Sequence, residues 1–466
     1  MIEAEGIPTM IITRGGFSQV CANAFTGVGF APEAPTVHEF PIPMFAGPGT
    51  DLTPLKEDID KVVYGLTKWE PEIKETGIYY PAENVKAEGK DWEDAFGNLN
   101  LLFLSNMWSD GLPIRPPTAE LVDWILTGTD RDPDEVIGKL FARGGIGTPK
   151  SLAVCLAMAG GRPEYMPLLL ASLEAMVPEE WRFFHANTTT NAPYPVLMVN
   201  GPIAKQIRLN SGYGLLGPDS RHPAGGAIGR AIRLAQICLA GATPGIGTMS
   251  LYGQNRWANA VFAEDEDGLP EGWLPLSAEP ERGGFGGFPI GSNVVTAISC
   301  CGGWNVGGGA TTNEEVALQK LWNWAGFLRT PSSNIMTPHD LEDMAVGAIL
   351  MARGTAQGLA DLGWSKLDVK TFMWENSKWP WEELVRCGLT EKAMEDGGIS
   401  EGEPFPLTAR PDQLMLVVCG GVQSGHNYWL PGGGGEIVIS KEIELPTNWD
   451  DLLVQAEEDL GPLPAD

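Results

Sequence analysis

Continuous apolar runs bounded by glycine, proline or small polar residues recur along the chain, at residues 10–12, 194–199, 294–299 and 414–418. Each predicts a buried strand. Between them, apolar residues recur every three or four positions, which predicts helices over residues 56–66, 119–126, 164–176, 226–240, 313–328 and 338–351. Local start signals sharpen several of these. Thr118 precedes one helix, Asp132-Pro133 opens another, and Thr148-Pro149 sets a cap before proline at the first helical position. Pro163 opens the segment 164–176 in the same way. The alternation predicts an α/β fold with mixed or parallel sheets flanked by helices.

Breaks in the pattern suggest three regions. A polar stretch over residues 68–94 reads as a linker or surface arm, and a Glu-, Gly- and Pro-rich loop spans residues 264–291. The expected division is therefore 1–95, an incomplete α/β unit plus arm; 96–262, a central α/β domain; and 263–466, a C-terminal α/β domain. The first unit is called incomplete because Glu3-Ala4-Glu5-Gly6 reads as a helix end with a glycine cap before the strand at Met10-Ile11-Ile12. An α/β unit places a strand ahead of such a helix, so a small partner subunit is expected to supply it. The alternative is a short N-terminal turn.

Composition narrows the function classes. Lys and Arg total 31 against 60 Asp and Glu, a net charge of -29, and no basic cluster stands out. Nucleic acid and anionic membrane are poor partners for such a surface. No run approaches the length of a membrane helix and the start lacks a signal-peptide pattern, so a cytoplasmic location is expected. Seven cysteines without regular spacing read mostly as buried thiols. Trp322, Trp324, Trp374, Trp379 and Trp381 cluster in the last third, where large rings fill a core or a subunit interface.

Three constellations could carry chemistry. The strand at 414–418 empties into Cys419-Gly420-Gly421-Val422-Gln423-Ser424-Gly425-His426, and ligands bind at the carboxyl ends of strands in α/β folds. His426 is thus a candidate acid/base or ligand-orienting group, or else a histidine satisfied by a loop carbonyl. Asn210-Ser211-Gly212 with Arg221-His222, placed before a helix start, would make an anion-binding loop for a carboxylate or phosphate, with a plain structural loop as the alternative. Arg230 on the following helix joins this substrate-binding set. Cys300-Cys301 follows a strand and could hold a nucleophile or redox thiol, or two structural thiols. Asn187 and Thr188 lie in a polar run that could form a substrate wall. The five histidines, His38, His185, His222, His339 and His426, lack zinc-site spacing.

Trp108-Ser109-Asp110-Gly111-Leu112-Pro113, Met158-Ala159-Gly160-Gly161-Arg162-Pro163-Glu164-Tyr165, Val199-Asn200-Gly201-Pro202, Asn210-Ser211-Gly212 and Ile228-Gly229-Arg230-Ala231-Ile232-Arg233 resemble a family of bacterial proteins named for a Sec/Cys-Gly-Ser-Cys motif (UGSC-like). Residues 2–66 resemble that family's N-terminal domain, itself similar to the selenoprotein subunit of glycine reductase component B. The family's Sec/Cys motif has no counterpart in this sequence. The resemblance implies the large subunit of a hetero-oligomeric enzyme that reduces or cleaves a carbon–heteroatom bond in a small polar or carboxylate-bearing substrate. It further implies a Cys/Sec redox group on the partner subunit, or a metal ion at the subunit interface. A metal-dependent hydratase or hydrolase subunit and a non-catalytic scaffold are the alternative expectations.

Overall fold

The computed structural model describes residues 5–30, 37–40, 49–70, 84–217, 219–253, 259–308, 313–329, 347–423, 425–432 and 438–463. Twelve strands fall within them: β1 (Ile11–Arg14), β2 (Val37–Phe40), β3 (Gly138–Leu140), β4 (Gly145–Gly147), β5 (Tyr194–Asn200), β6 (Ala260–Ala263), β7 (Val294–Cys300), β8 (Trp304–Gly307), β9 (Ala348–Met351), β10 (Met415–Val418), β11 (His426–Leu430) and β12 (Ile439–Glu442). The α/β class is as expected, with helices flanking mixed sheets. One four-stranded sheet runs β12-β7-β5-β6 and a second runs β10-β9-β11-β8. In each, one neighbouring pair is parallel (β5 with β6, β9 with β10) and the remaining pairs are antiparallel.

The strands read as unbroken apolar runs because both of their faces are covered. Successive side chains point to opposite sides of a sheet. In β5, Leu197 and Val199 join a core with the helices Pro149–Met158, Met166–Met176 and Pro223–Cys238, while Tyr194, Val196 and Met198 join a different one. That second core also holds Leu350 of β9 and Met415 and Val417 of β10, so it lies between the two sheets. Ile349, Met351, Leu416 and Val418 face the other way, onto the helices Glu314–Leu328, Arg353–Asp361 and Lys366–Asn376. The order of layers is helix, sheet, sheet, helix. Close approach of helix 223–238 to β6 needs glycine: a Cβ on Gly229 would stand 2.2 Å from the Asn259 carbonyl oxygen.

The expected divide at residue 262 falls inside this shared architecture. β5 lies on one side of it, β6 straddles it, β7 and β12 complete the same sheet from the other side, and Trp449 and Leu452 of the last helix enter the first core. Arg162 reaches Asp459 at 2.8 Å across the same divide. Near the N-terminus, β1 and β2 pair in parallel around the helix Ser18–Gly27, and Gly6 takes φ +75°.

The helix starts divide into confirmed and corrected ones. Thr118 and Thr148 accept hydrogen bonds from Leu121 N and Ser151 N, the latter in a reciprocal box with Ser151. Asp132-Pro133 opens no helix. Asp132 Oδ1 accepts from Asp134 N, closing a local turn that competes with helix initiation. Helix 164–176 begins with a 3-10 turn at Pro163–Tyr165. The helix expected over 338–351 is corrected at its end, where Ala348–Met351 is β9; residues 330–346 lie outside the described residues.

Candidate active site

The parallel pairs β5–β6 and β9–β10 bring four carboxyl strand ends to one edge of the molecule. Backbone bonds join the loops there: Ala263 N donates to Asn210 O at 2.9 Å, Asp265 N to Val418 O at 2.8 Å, and Gly420 N to Ser211 O at 2.8 Å. Gly421 (φ +97°) passes so close to Tyr213 that a Cβ would stand 2.9 Å from its ring. These contacts enclose a pocket of about 360 Å³. The sequence-predicted Asn210, Ser211, Gly212, Arg221 and His222 all line it.

Positive charge converges on this pocket in a strongly acidic chain. Lys205, Arg208 and Arg353 line it beside Arg221. Lys205 pairs with Asp267, and Arg208 donates to the carbonyls of Gly461 and Pro462, so these two are engaged. Arg221 and Arg353 are different. Among the described residues their nearest carboxylates stand at 4.0 Å (Asp219) and 3.9 Å (Asp265), beyond hydrogen-bonding reach, and both side chains are solvent-accessible. They are the donors left for an anionic ligand. Asn210 shapes the loop instead: its Oδ1 accepts from Gly212 N at 2.8 Å and its Nδ2 donates to Tyr213 O at 3.0 Å.

His222 sits at the same mouth, 2.6 Å from Asp219 through Nδ1. The hydrogen bond from His222, with a further one from Arg221 N, holds the Asp219 carboxyl below its usual range. An ionised carboxylate only accepts, so Nδ1 carries the proton between them, and in the neutral ring the basic lone pair is then on Nε2. A histidine oriented by a carboxylate is the arrangement used for general acid–base work.

His426 lines an adjoining pocket of about 550 Å³ with Gly214, Cys419, Gly420 and Asn427. Its Nδ1 lies 3.1 Å from Asn305 Oδ1, so a side chain and not a loop carbonyl is its partner. Ser424 lies outside the described residues. Behind the same loops, burial of Lys320 pushes its ammonium down to about 8, and it contacts Thr355 Oγ1 at 3.3 Å.

Four other expected site residues are placed elsewhere, and Arg230 with them. Cys300 ends β7 and Cys301 follows it; β7 runs antiparallel to β5, so the two cysteines lie at the Tyr194 end, the opposite edge of the sheet. Six residues of strand, about 20 Å, separate that edge from Asn200. Cys300 is buried in the core, and Cys301 Sγ donates to Gly432 O at 3.2 Å. Asn187 is buried, donating to Phe141 O and accepting from Gln236 Nε2. Thr188 bonds back onto Phe184 O. Arg230 is already engaged within the fold. It forks onto Asp110 at 2.8 and 3.0 Å and donates to the carbonyls of Leu112 and Pro113, pinning that loop to helix 223–238. Arg230→Met leaves Asp110 buried without its cation, and urea unfolding is expected to read a loss of about 3 kcal/mol.

Sequence reasoning did not single out Arg353, Asp219, Arg208 or Lys205. An Asp219-x-x-His222 pair just ahead of Pro223 was a visible signal, and Arg353 is the second residue after β9. Among the described residues, no group of three His, Cys, Asp or Glu side chains is placed to hold a metal ion, and no helix is long and apolar enough to cross a membrane. The aromatic cluster divides: Trp324 and Trp379 are buried, and Trp322 is 55% exposed.

No protein-family model matches the chain, no curated protein matches it, and no solved structure matches it.

Proposed function

We propose that the chain is an enzyme acting on a small carboxylate-bearing substrate, with His222 as the base of a lyase-type cleavage. The observation that carries this reading is the Asp219–His222 pair at the mouth of a pocket where the Arg221 and Arg353 side chains have no hydrogen-bonded acceptor among the described residues, only carboxylates at 4.0 and 3.9 Å. Arg221 and Arg353 grip the substrate carboxylate and stabilise negative charge that develops on the adjacent carbon. His222 Nε2 takes the proton from that carbon. The C–H electron pair becomes the double bond as the bond between the next carbon and its heteroatom breaks, and the leaving group departs with the electron pair of that broken bond and takes a proton from the His222 imidazolium or from water. The resemblance to the UGSC-like family points the same way, toward carbon–heteroatom chemistry in a larger assembly with a partner subunit.

A panel of candidate substrates tests this. Small 2- and 3-substituted carboxylates are incubated with the protein in deuterium oxide and followed by proton NMR. Exchange or elimination at the carbon beside the carboxylate is expected for at least one of them. Exchange should vanish in Arg221→Gln/Arg353→Gln and persist in Cys300→Ala and Cys301→Ser. No exchange across the panel, or exchange that needs Cys301 and not the arginines, refutes the reading.

A further inference from the structure

A third cavity, of about 690 Å³, lies away from both pockets of the candidate site, against the middle of helix 223–238. Arg233 enters it some eleven residues beyond His222, about 16 Å along the helix axis. Its walls are otherwise largely apolar: Leu104, Met107, Leu112, Ile237 and Pro244. The size is that of a small-molecule site.

The charge balance of the cavity is what identifies a ligand. Asp110 also reaches it, but both of its oxygens are held by Arg230. Arg233 has no hydrogen-bonded acceptor among the described residues, and burial lowers its pKa with only the distant pull of Asp110 opposing. A guanidinium keeps its charge at any working pH and presents five donors in a fork. Holding it partly desolvated costs free energy that an incoming anion would return. One fork matches one carboxylate. It does not match a polyphosphate, for which a lone cation among apolar walls is too little.

We infer that this cavity binds a monocarboxylate carrying an apolar chain, with Arg233 gripping the carboxylate and the Leu104, Leu112 and Ile237 walls covering the chain. The site uses none of the residues assigned to the Asp219–His222 pocket, so the two readings stand or fall separately.

Isothermal titration of the full chain with octanoate, octanol and acetate tests it. Octanoate is expected to bind at least tenfold more tightly than either, because octanol lacks the charge and acetate lacks the chain. Arg233→Met should weaken octanoate at least tenfold, whereas Arg353→Met, in the other pocket, should leave it unchanged. Leu112→Trp, at the half-exposed rim, narrows the cavity without touching the guanidinium and should also weaken binding, which covers the case in which Arg233→Met fails to fold. Equal affinity for octanoate and octanol, no octanoate binding, loss of binding in Arg353→Met alone, or unchanged binding in Leu112→Trp overturns the inference.

Discussion

His222→Gln is expected to lower turnover of the substrate found by exchange by about 10²–10⁴-fold, the range over which a positioned acid–base group contributes. The variant should fold normally. His222 occupies the position before helix 223–238 without donating a side-chain cap, so the helix start does not depend on the ring. Glutamine keeps a donor for Asp219 and removes the basic nitrogen. Asp219→Asn acts through the ring instead. A neutral amide no longer holds the proton on Nδ1, and a loss of about 10²-fold in kcat with KM little changed is expected. Steady-state kinetics with melting curves as a control separates these cases. Unchanged kcat/KM in His222→Gln, in a protein of unchanged melting temperature, would remove His222 from the mechanism and turn attention to His426.

Lys366→Met is expected to cost about 3–5 kcal/mol of stability, the range for removing one member of a buried ionic group. Four charges are buried together beneath the site. Lys366 Nζ stands 2.7 Å from Glu279 Oε1 and 3.6 Å from Glu264 Oε1, and Lys370 pairs with Glu279. Glu264 is also the acceptor that ties the two sheets, taking hydrogen bonds from Asn200 Nδ2, Leu276 N and Val418 N. Losing Lys366 leaves two buried carboxylates facing Lys370 alone. Urea unfolding should register the loss, and adding Glu264→Gln should restore part of it. Lys61→Met, at an exposed ion pair, should change stability by no more than about 0.5 kcal/mol. Equal effects at the two lysines would disprove the network argument.

The same group sets a pH dependence with two signs. Burial would raise the Glu279 carboxyl, but Lys366 and Lys370 overcome it and hold it below the usual range. Its contribution is present above the ordinary glutamate range and is lost as pH falls through the depressed folded value. Burial raises Glu264 despite Lys366, so its contribution is present below the ordinary range and lost as pH rises through the raised folded value. Lys366→Met should therefore flatten the acid limb of stability that Glu279 provides.

Local chemistry was legible because it acts over a few residues. Thr118 and Thr148 start helices through side-chain oxygens that reach backbone N–H groups three positions on. Runs such as residues 294–299 are apolar enough to name a buried strand on their own. The same locality explains the errors. Ala348–Met351 is four apolar residues, too short a run to reveal its period, and it merges into a preceding helical pattern. Asp132-Pro133 carries the signal of a helix start and that of a turn, and the turn prevails.

The site itself was half visible. Asn210-Ser211-Gly212 and Arg221-His222, singled out as an anion-binding loop ahead of a helix, meet His426, singled out at a strand end, along one edge, whereas Cys300-Cys301, singled out by the same strand-end argument as His426, lies at the other. What separates them is strand direction: β5, β6, β9 and β10 end at one edge, and antiparallel β7 ends at the other. Nor could spacing reveal that Arg230 is hydrogen-bonded to Asp110, 120 residues earlier, while Arg221 meets its nearest carboxylate among the described residues, Asp219, only at 4.0 Å. By itself, the amino-acid sequence determined the α/β class, the burial of the strands and the caps of the helices, since these follow from side-chain polarity and bonds within one turn. Only the tertiary structure decided which strand ends meet, which arginines are already hydrogen-bonded and where positive charge collects, because those outcomes depend on pairing between residues far apart in the chain.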